Sequence, residues 1–260
     1  MTQWEDRDAR RTDAQASYLD VMTTPGPGPQ YVYYDAGVVG FVFGEMWSRP
    51  GLTRKERRWV TLSCVGAADA TVPIESHVYA AMKSGDCTLE EMDEFTLHFA
   101  TQMGWPKGQA VNMAVITQGA RVAQEAGEPA RSPDVLLWAE PTTPDARRAR
   151  GTAAYEDVMR AAAPDARTAF RGLGYLDYLF GEIWTRPRLT RKERRIVSIC
   201  CAAAIGADRE TEAHLIAARD SGDLTYEEVQ EVVLHFAVYL GWLLGSKLDD
   251  LVVSVWEDAG

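Results

Sequence analysis

Apolar residues recur at intervals of three and four along most of the chain, which is the spacing of one face of an α-helix. One such stripe, with a threonine among the apolar residues, lies at Leu89, Met92, Thr96, Phe99 and Met103. Largely apolar runs at 59–70 and 196–207 are long enough for buried helices. β-Branched residues do not alternate with polar ones, so strands are not predicted. The pattern therefore predicts an all-α protein.

Capping residues mark the ends of these helices. A threonine followed three residues later by glutamate, the pattern of a capping box, occurs at Thr53, Thr88, Thr190 and Thr225. Glycines that suit a helix C-terminus follow the helical stretches at Gly85, Gly104, Gly222 and Gly241. The same start and stop signals thus occur twice along the chain.

The chain repeats itself with an offset of 137 residues: FGEMWSRP at 43–50 returns as FGEIWTRP at 180–187, and LTRKERR at 52–58 returns unchanged at 189–195. About half the positions of 43–108 have an identical partner, without any insertion. We therefore predict a tandem duplication of one helical unit. The repeats are placed at 1–117 and 151–260, and a proline-rich linker with a short helix around 135–138 is placed at 118–150.

Charge and composition limit the possible partners. The 260 residues carry a net charge of -11 and the pI is near 4.9. Such an acidic surface repels phosphate backbones and anionic lipid, so neither nucleic acid nor a membrane is expected as a partner. No apolar run is long enough to cross a bilayer, and residues 1–11 lack the features of a signal peptide, so we expect a cytoplasmic protein. The four cysteines are expected to be buried and unreactive.

The four histidines form two pairs at the same offset, His77 with His214 and His98 with His235. His77 and His214 lie on apolar helix faces, where a histidine is commonly a hydrogen-bonded core residue. His98 and His235 are expected to line the same pocket or an interface between units. The two histidines of one repeat are 21 residues apart on different helices, a spacing that gives little support for a metal site. No metal and no other cofactor is therefore predicted.

Acidic residues beside the first pair favour a catalytic role. Glu75 and Glu212 each precede their histidine by two residues, and Glu210 precedes His214 by four. A carboxylate at that distance on a helix can orient the imidazole and raise its pKa, which makes it a usable general acid. Because Pro73 takes the place of Glu210 in the first repeat, we expect the second site to be the more active one.

Arginine and tryptophan supply candidates for substrate binding. Arg49 and Arg186 follow an aromatic stretch, and a guanidinium can hold a carboxylate with two hydrogen bonds. The aromatic residues expected to line the pocket are Trp47, Trp184 and Trp242. The arginine-rich segments 54–58 and 191–195 are expected to be mostly solvent-exposed helix faces.

These residues resemble the carboxymuconolactone decarboxylase family, part of the larger group that includes the AhpD-type alkylhydroperoxidases. The resemblance rests on FGEMWSRPGLTRKERRWVTLS, on the histidine helix that follows it, and on LHFATQMGWPKG and LHFAVYLGW. It covers roughly residues 38–115 and 175–252. It implies two AhpD-like helical units, a role in aromatic catabolism, and a homo-oligomer that is either a trimer forming a pseudo-hexamer or a dimer.

The resemblance also separates two kinds of chemistry. The alkylhydroperoxidase branch has two cysteines before the histidine, and this chain has Ala70 and Pro73, or Ala207 and Glu210, in their place. Thiol-based peroxide reduction is thereby excluded. The decarboxylase branch implies a cofactor-independent lyase for a small carboxylated lactone such as 4-carboxymuconolactone. Two alternatives stay open: a metal- or histidine-dependent oxidoreductase for a small aromatic or peroxide substrate, and a non-catalytic ligand-binding or scaffold protein.

Overall fold

The first half of the chain folds into five α-helices and one π-helix. In the computed structural model, which describes residues 6–136 and 138–257, these are α1 (Arg7–Met22), π1 (Tyr33–Met46), α2 (Arg54–Ala67), α3 (Thr71–Lys83), α4 (Leu89–Met103) and α5 (Trp105–Glu125). In a π-helix each backbone N–H bonds the carbonyl five residues earlier. The last such bond of π1 runs from the Trp47 N–H to the Val42 carbonyl, at 3.0 Å.

The second half has the same elements in the same order. They are α6 (Pro144–Met159), π2 (Phe170–Ile183), α7 (Arg191–Ala204), α8 (Asp208–Ser221), α9 (Tyr226–Leu240) and α10 (Trp242–Glu257). Each helix begins 137 residues after its counterpart, which is the offset of the sequence repeat. The described ranges contain no β-strand, so the all-α prediction is confirmed. No helix in those ranges has the length and apolar character needed to cross a membrane.

All four predicted capping boxes form, and they determine where α2, α4, α7 and α9 begin. In each, the threonine hydroxyl accepts a hydrogen bond from the backbone N–H three residues on, and the glutamate at that position accepts one from the threonine N–H. These bonds satisfy donors that the helix cannot pair internally. The same four helices carry buried polar side chains where the halves meet, so the capping boxes also set the register of those side chains.

The two halves share one hydrophobic core. Helix α2 packs against both α7 and α9, while α4 packs against α7. Trp59 on α2 is fully buried, stacks on Phe95, and donates its indole N–H across the halves to Glu193 at 3.0 Å. The buried cluster around it contains residues of both halves. The sequence repeats are therefore joined through a packed interior as well as through the chain.

The connecting segment is shorter than the predicted linker of 118–150. Helix α5 continues to Glu125 and α6 already begins at Pro144, because the apolar faces of both helices are packed against their neighbours. The short helix expected around 135–138 includes residue 137, which lies outside the described residues; the described residues beside it are not helical. Trp138 instead packs against Tyr178 of π2, with ring centres 6.1 Å apart.

Candidate functional site

Two sites, related by the 137-residue offset, lie where the halves meet. The first, called site A, consists of Trp47, Arg58 and His77 from the first half and of His235 and Tyr239 from the second. Trp47 directly follows π1, Arg58 lies on α2, His77 on α3, and the remaining two on α9. Side chains from four elements thus converge, and the site requires both halves.

The indole of Trp47 is the centre of site A. It is stacked on His77, with ring centres 6.1 Å apart, and contacts His235 edge-on at 4.9 Å. The Arg58 guanidinium lies 4.9 Å from the indole ring centre, within cation–π range. The indole N–H donates to the Tyr239 hydroxyl at 2.8 Å. One buried ring therefore holds a cation, two imidazoles and a phenol together.

Two buried nitrogen atoms of site A lack a hydrogen-bond partner in the part of the chain that the structure describes. Arg58 Nε donates to Asp86 at 3.1 Å, and His77 Nε2 lies 3.5 Å from the Tyr239 hydroxyl. Arg58 Nη1 and His77 Nδ1, by contrast, have no hydrogen-bond partner among the described residues. Burial, aided by the charge of Arg58, lowers the pKa of His77 to about 3, so this imidazole is neutral at pH 7.

The second site, called site B, has the equivalent residues with one exchange. It consists of Trp184, Arg195 and His214 from the second half and of His98 from the first; at the 137-residue offset, Gln102 is the sequence equivalent of Tyr239. Trp184 stacks on His214 at 5.9 Å and contacts His98 edge-on at 5.2 Å. The ring arrangement of site A is thus reproduced.

The polar contacts of site B differ from those of site A. Arg195 Nη1 donates to His214 Nδ1 at 2.9 Å. In the part of the chain that the structure describes, nothing accepts the buried indole N–H of Trp184. Burial and the charge of Arg195 lower the pKa of His214 to about 3, and burial lowers the pKa of Arg195 to about 10. At pH 7 the imidazole is neutral and the guanidinium is charged.

His98 and His235 belong both to the sites and to the interface between the halves. His98 Nε2 lies 3.0 Å from the Ser198 hydroxyl, and His235 Nε2 lies 2.9 Å from the Thr61 hydroxyl, each in the other half. Burial, followed by a nearby arginine, lowers the pKa of both imidazoles well below the ordinary histidine value. Each also touches the tryptophan of its site, so both histidines lie at the interface between the halves.

The expected catalytic pair of Glu210 and His214 does not form. Glu75, Glu210 and Glu212 are exposed, and none of them has a hydrogen bond or ion pair with a histidine within the described residues. Helix α8 turns His214 toward α7, where Arg195 reaches the imidazole, while the carboxylates stay in water. The pKa of His214 is consequently lowered rather than raised, contrary to our expectation.

Arg49 and Arg186, expected to bind a substrate carboxylate, are paired with carboxylates of the protein. Arg49 binds Glu231 through Nε and Nη2 at 2.6 to 3.0 Å, and Arg186 Nε binds both oxygens of Glu94 at 2.8 and 3.0 Å. Arg186 Nη2 also donates to the Leu136 carbonyl at 3.2 Å. These arginines join the two halves and have their hydrogen-bonding forks occupied.

The glutamates of these pairs were not identified from the sequence. Each also accepts a hydrogen bond from a second buried arginine, Glu94 from Arg194 and Glu231 from Arg57, both at 3.0 Å. One signal was available, because both glutamates are retained at the 137 offset in a largely apolar stretch. A carboxylate retained there needs a buried cation as its partner.

The arginine-rich segments are not solvent-exposed faces, contrary to expectation. The four arginines Arg57, Arg58, Arg194 and Arg195 are each at most 2% exposed. Carboxylates and carbonyls from other helices and from the segments between helices compensate for their burial, and the sequence pattern does not show those partners. Among the tryptophans, Trp47 stacks on His77 in site A and Trp184 stacks on His214 in site B. Trp242 lies in neither site, since it is 58% exposed and contacts Phe41 at 6.1 Å.

Thiol groups lie apart from this chemistry. All four cysteines are free and buried, as expected. Burial raises the pKa of Cys64, Cys87 and Cys201, so these thiols stay protonated at pH 7. Within the described residues, no group of three histidine, cysteine or acidic side chains is placed to hold a metal ion.

Residues 173–244, from π2 to the start of α10, match the sequence profile of the carboxymuconolactone decarboxylase family. The second half of the chain therefore carries a segment of this family. The matched range contains Trp184, Arg195 and His214 of site B and also His235 and Tyr239 of site A. The family that the residues of the second half resemble is thereby confirmed.

Two curated relatives are similar over about a third of the chain. The 4-carboxymuconolactone decarboxylase of Acinetobacter baylyi is 32% identical over 83 residues, which make up 32% of this chain and 61% of the relative. The nitrosuccinic acid decarboxylase of Metarhizium robertsii is 32% identical over 81 residues, 31% of this chain and 54% of the relative. The chain thus spans somewhat more than half the length of the relatives that it matches.

Proposed function

We propose that this protein is a cofactor-independent decarboxylase for a small carboxylated substrate, with 4-carboxymuconolactone as the first candidate. The observation that carries the proposal is the buried arginine beside a neutral imidazole, against one tryptophan ring, in each site. The names of both relatives describe decarboxylases, which supports the reaction type.

The reaction requires charge stabilisation and one proton. Loss of CO2 from a carboxymuconolactone breaks a carbon–carbon bond and leaves the electron pair on carbon. The lactone carbonyl can take up that pair as a dienolate, and a proton is then added to carbon. A protein that supplies a fixed cation, hydrogen-bond donors and a proton carrier in a water-poor pocket can therefore perform the reaction.

The cation of each site is Arg58 or Arg195, rather than the expected Arg49 or Arg186. Each site arginine is nearly fully buried and lies against the site tryptophan. In such surroundings its charge acts over a longer range than it would in water. The guanidinium thus attracts the substrate carboxylate. When CO2 leaves, the guanidinium stabilises the negative charge that moves onto the lactone carbonyl oxygen.

The proton carrier is His77 or His214. Both imidazoles are neutral in the free protein, because burial and the adjacent arginine lower the pKa of each to about 3. A bound carboxylate offsets the charge of the arginine and raises the pKa of the imidazole. The ring can then accept a proton and deliver it to the substrate carbon as the dienolate collapses.

The proposal is tested by incubating the protein with 4-carboxymuconolactone and following CO2 release and loss of the ultraviolet band of the substrate. The double variant His77→Asn, His214→Asn should lose roughly 100-fold or more in kcat, the usual contribution of a proton carrier. The matched control is Glu210→Gln, which alters an exposed carboxylate and should leave the rate unchanged.

Two outcomes would reject parts of this proposal. A folded protein that releases CO2 from neither 4-carboxymuconolactone nor nitrosuccinate is not a decarboxylase of this substrate class. Full activity of the double histidine variant would instead support the decarboxylation and show that neither imidazole carries the proton. Circular dichroism spectra of each variant establish that the fold is intact.

A further inference from the structure

The two sites differ in whether the imidazole and the guanidinium are hydrogen-bonded to each other. In site B, Arg195 Nη1 and His214 Nδ1 are bonded at 2.9 Å. In site A, the equivalent atoms, Arg58 Nη1 and His77 Nδ1, are both buried and have no partner within the described residues. Arg58 is fully buried and His77 is 5% exposed. Unpaired polar atoms at such depth are rare in folded proteins.

The bond in site B determines the tautomer of His214. A guanidinium has only donor groups, so Nδ1 of His214 must accept with its lone pair. In the neutral imidazole the proton is then on Nε2. Site B therefore has its cation and its imidazole already bonded to each other, and a ligand would have to break that bond to reach Arg195 Nη1.

Site A favours the opposite tautomer of His77. The Tyr239 hydroxyl accepts from the Trp47 indole at 2.8 Å. It is also hydrogen-bonded to Thr61, so its own proton can go to the Thr61 hydroxyl or to His77. His77 Nε2 lies 3.5 Å from that hydroxyl and can accept this proton. The proton of the neutral imidazole is then on Nδ1, the nitrogen without a partner. Arg58 Nη1 and His77 Nδ1 are thus two buried donors without an acceptor.

We infer that site A binds a small carboxylate that accepts hydrogen bonds from Arg58 Nη1 and His77 Nδ1, whereas site B is closed by its own arginine–histidine bond. A carboxylate offers two acceptor oxygens and one negative charge, which matches one cation and the two buried nitrogens that lack a partner within the described residues. The choice of a carboxylate rests on the proposed function; the difference between the two arginine–histidine pairs does not.

The exchange of Tyr239 for Gln102 accounts for the difference. The Tyr239 hydroxyl is the group that can donate to His77 Nε2. In site B, no described residue has a hydroxyl in the equivalent position to donate to His214. Without it, the imidazole is free to accept from the arginine instead. This inference reverses the expectation from the sequence, in which Glu210 made the second site the more active one.

The inference is tested on the intact protein labelled with 15N-histidine. Long-range proton–nitrogen NMR spectra distinguish a protonated from a bare ring nitrogen, and the variants His77→Asn and His214→Asn assign the two signals. At pH 7 we expect His77 protonated on Nδ1 and His214 on Nε2. Titration with succinate should shift the His77 signals and leave those of His214 in place. The same tautomer in both residues, or an equal response of His214, would overturn the inference.

Matched variants separate the two sites by affinity. His77→Asn should weaken succinate binding roughly tenfold or more, as the loss of a hydrogen bond to a charged group implies, and His214→Asn should not. Tyr239→Phe keeps the ring and removes the hydroxyl, so it should convert His77 to the Nε2 tautomer and weaken succinate binding to a similar extent. Tyr226→Phe, at an exposed tyrosine of the same helix, is the control.

Measurements of succinate binding and of CO2 release test the inference and the proposed function separately. Succinate binding at His77 without CO2 release from any substrate would overturn the proposed function and retain the carboxylate site. CO2 release with no succinate response at His77, or with an unchanged tautomer in Tyr239→Phe, would retain the function and overturn the assignment of site A.

Discussion

Single residues in the two sites differ chiefly in whether a buried polar atom finds a partner. The indole N–H of Trp47 is bonded to Tyr239, whereas that of Trp184 has no acceptor in the described parts of the chain. A buried donor without an acceptor costs about 1–3 kcal/mol. One exchange, tyrosine for glutamine, therefore alters both the stability of the site and the contacts of its imidazole.

We predict that Tyr239→Phe lowers the free energy of unfolding by about 1–3 kcal/mol, because it leaves the indole N–H of Trp47 unpaired. Urea denaturation followed by circular dichroism measures this change. Tyr226→Phe, whose hydroxyl only accepts from exposed Gln230, should change the free energy by less than about 0.5 kcal/mol. Equal losses in the two variants would contradict the prediction.

Helices of this fold approach closely where glycine meets alanine. Gly108 of α5 lies against Ala100 of α4, and Gly245 of α10 lies against Ala237 of α9 in the equivalent place. A Cβ atom at either glycine would overlap with the alanine side chain. The absence of a side chain at these two glycines therefore lets the helices of each pair approach closely.

We predict that Gly108→Ala destabilises the protein by about 1–3 kcal/mol, the usual effect of overpacking in a well-packed interior. Gly119 lies in the same helix, and a Cβ there would have its nearest neighbour at 3.4 Å, close to ordinary contact. Gly119→Ala should thus be neutral or stabilise the helix by up to about 1 kcal/mol. Thermal unfolding of both variants measures the two changes in stability. Equal stability of Gly108→Ala and Gly119→Ala would show that the contact between Gly108 and Ala100 is not tight.

The whole molecule holds its four histidines buried and neutral, which couples its stability to pH. In the unfolded chain a histidine has a pKa of about 6.5. In the folded chain the pKa of His77 and of His214 is about 3, and the pKa of His98 and of His235 is also well below the usual value. The unfolded chain consequently binds more protons over the window below pH 6.5.

We predict that the free energy of unfolding falls as the pH is lowered from 6.5 toward 3. The expected slope approaches about 1.4 kcal/mol per pH unit for each histidine. Urea denaturation at pH 7.5, 6.5 and 5.5 measures it, in a range where most carboxylates remain ionised. A free energy of unfolding that is constant over this range would show that the imidazoles are accessible or already protonated.

Several features of this protein followed from the sequence because they depend on neighbouring residues along the chain. The helices, their capping boxes and the repeat at 137 residues rest on spacings of three or four residues and on identity. Trp47, Trp184 and the four histidines were also singled out by the repeat, and the structure brings them together in sites A and B. The family followed from motifs of the same local kind.

Tertiary structure alone decided the electrostatics of the sites. Arg186 binds Glu94, which is 92 positions earlier on another helix, and no local spacing reveals such a pair. The same holds for Arg195, which reaches His214 where Glu210 was expected. The charge of an imidazole and the nitrogen that carries its proton depend on burial and on partners from several helices. Local sequence therefore determined which side chains are present, and packing of the two halves determined their partners.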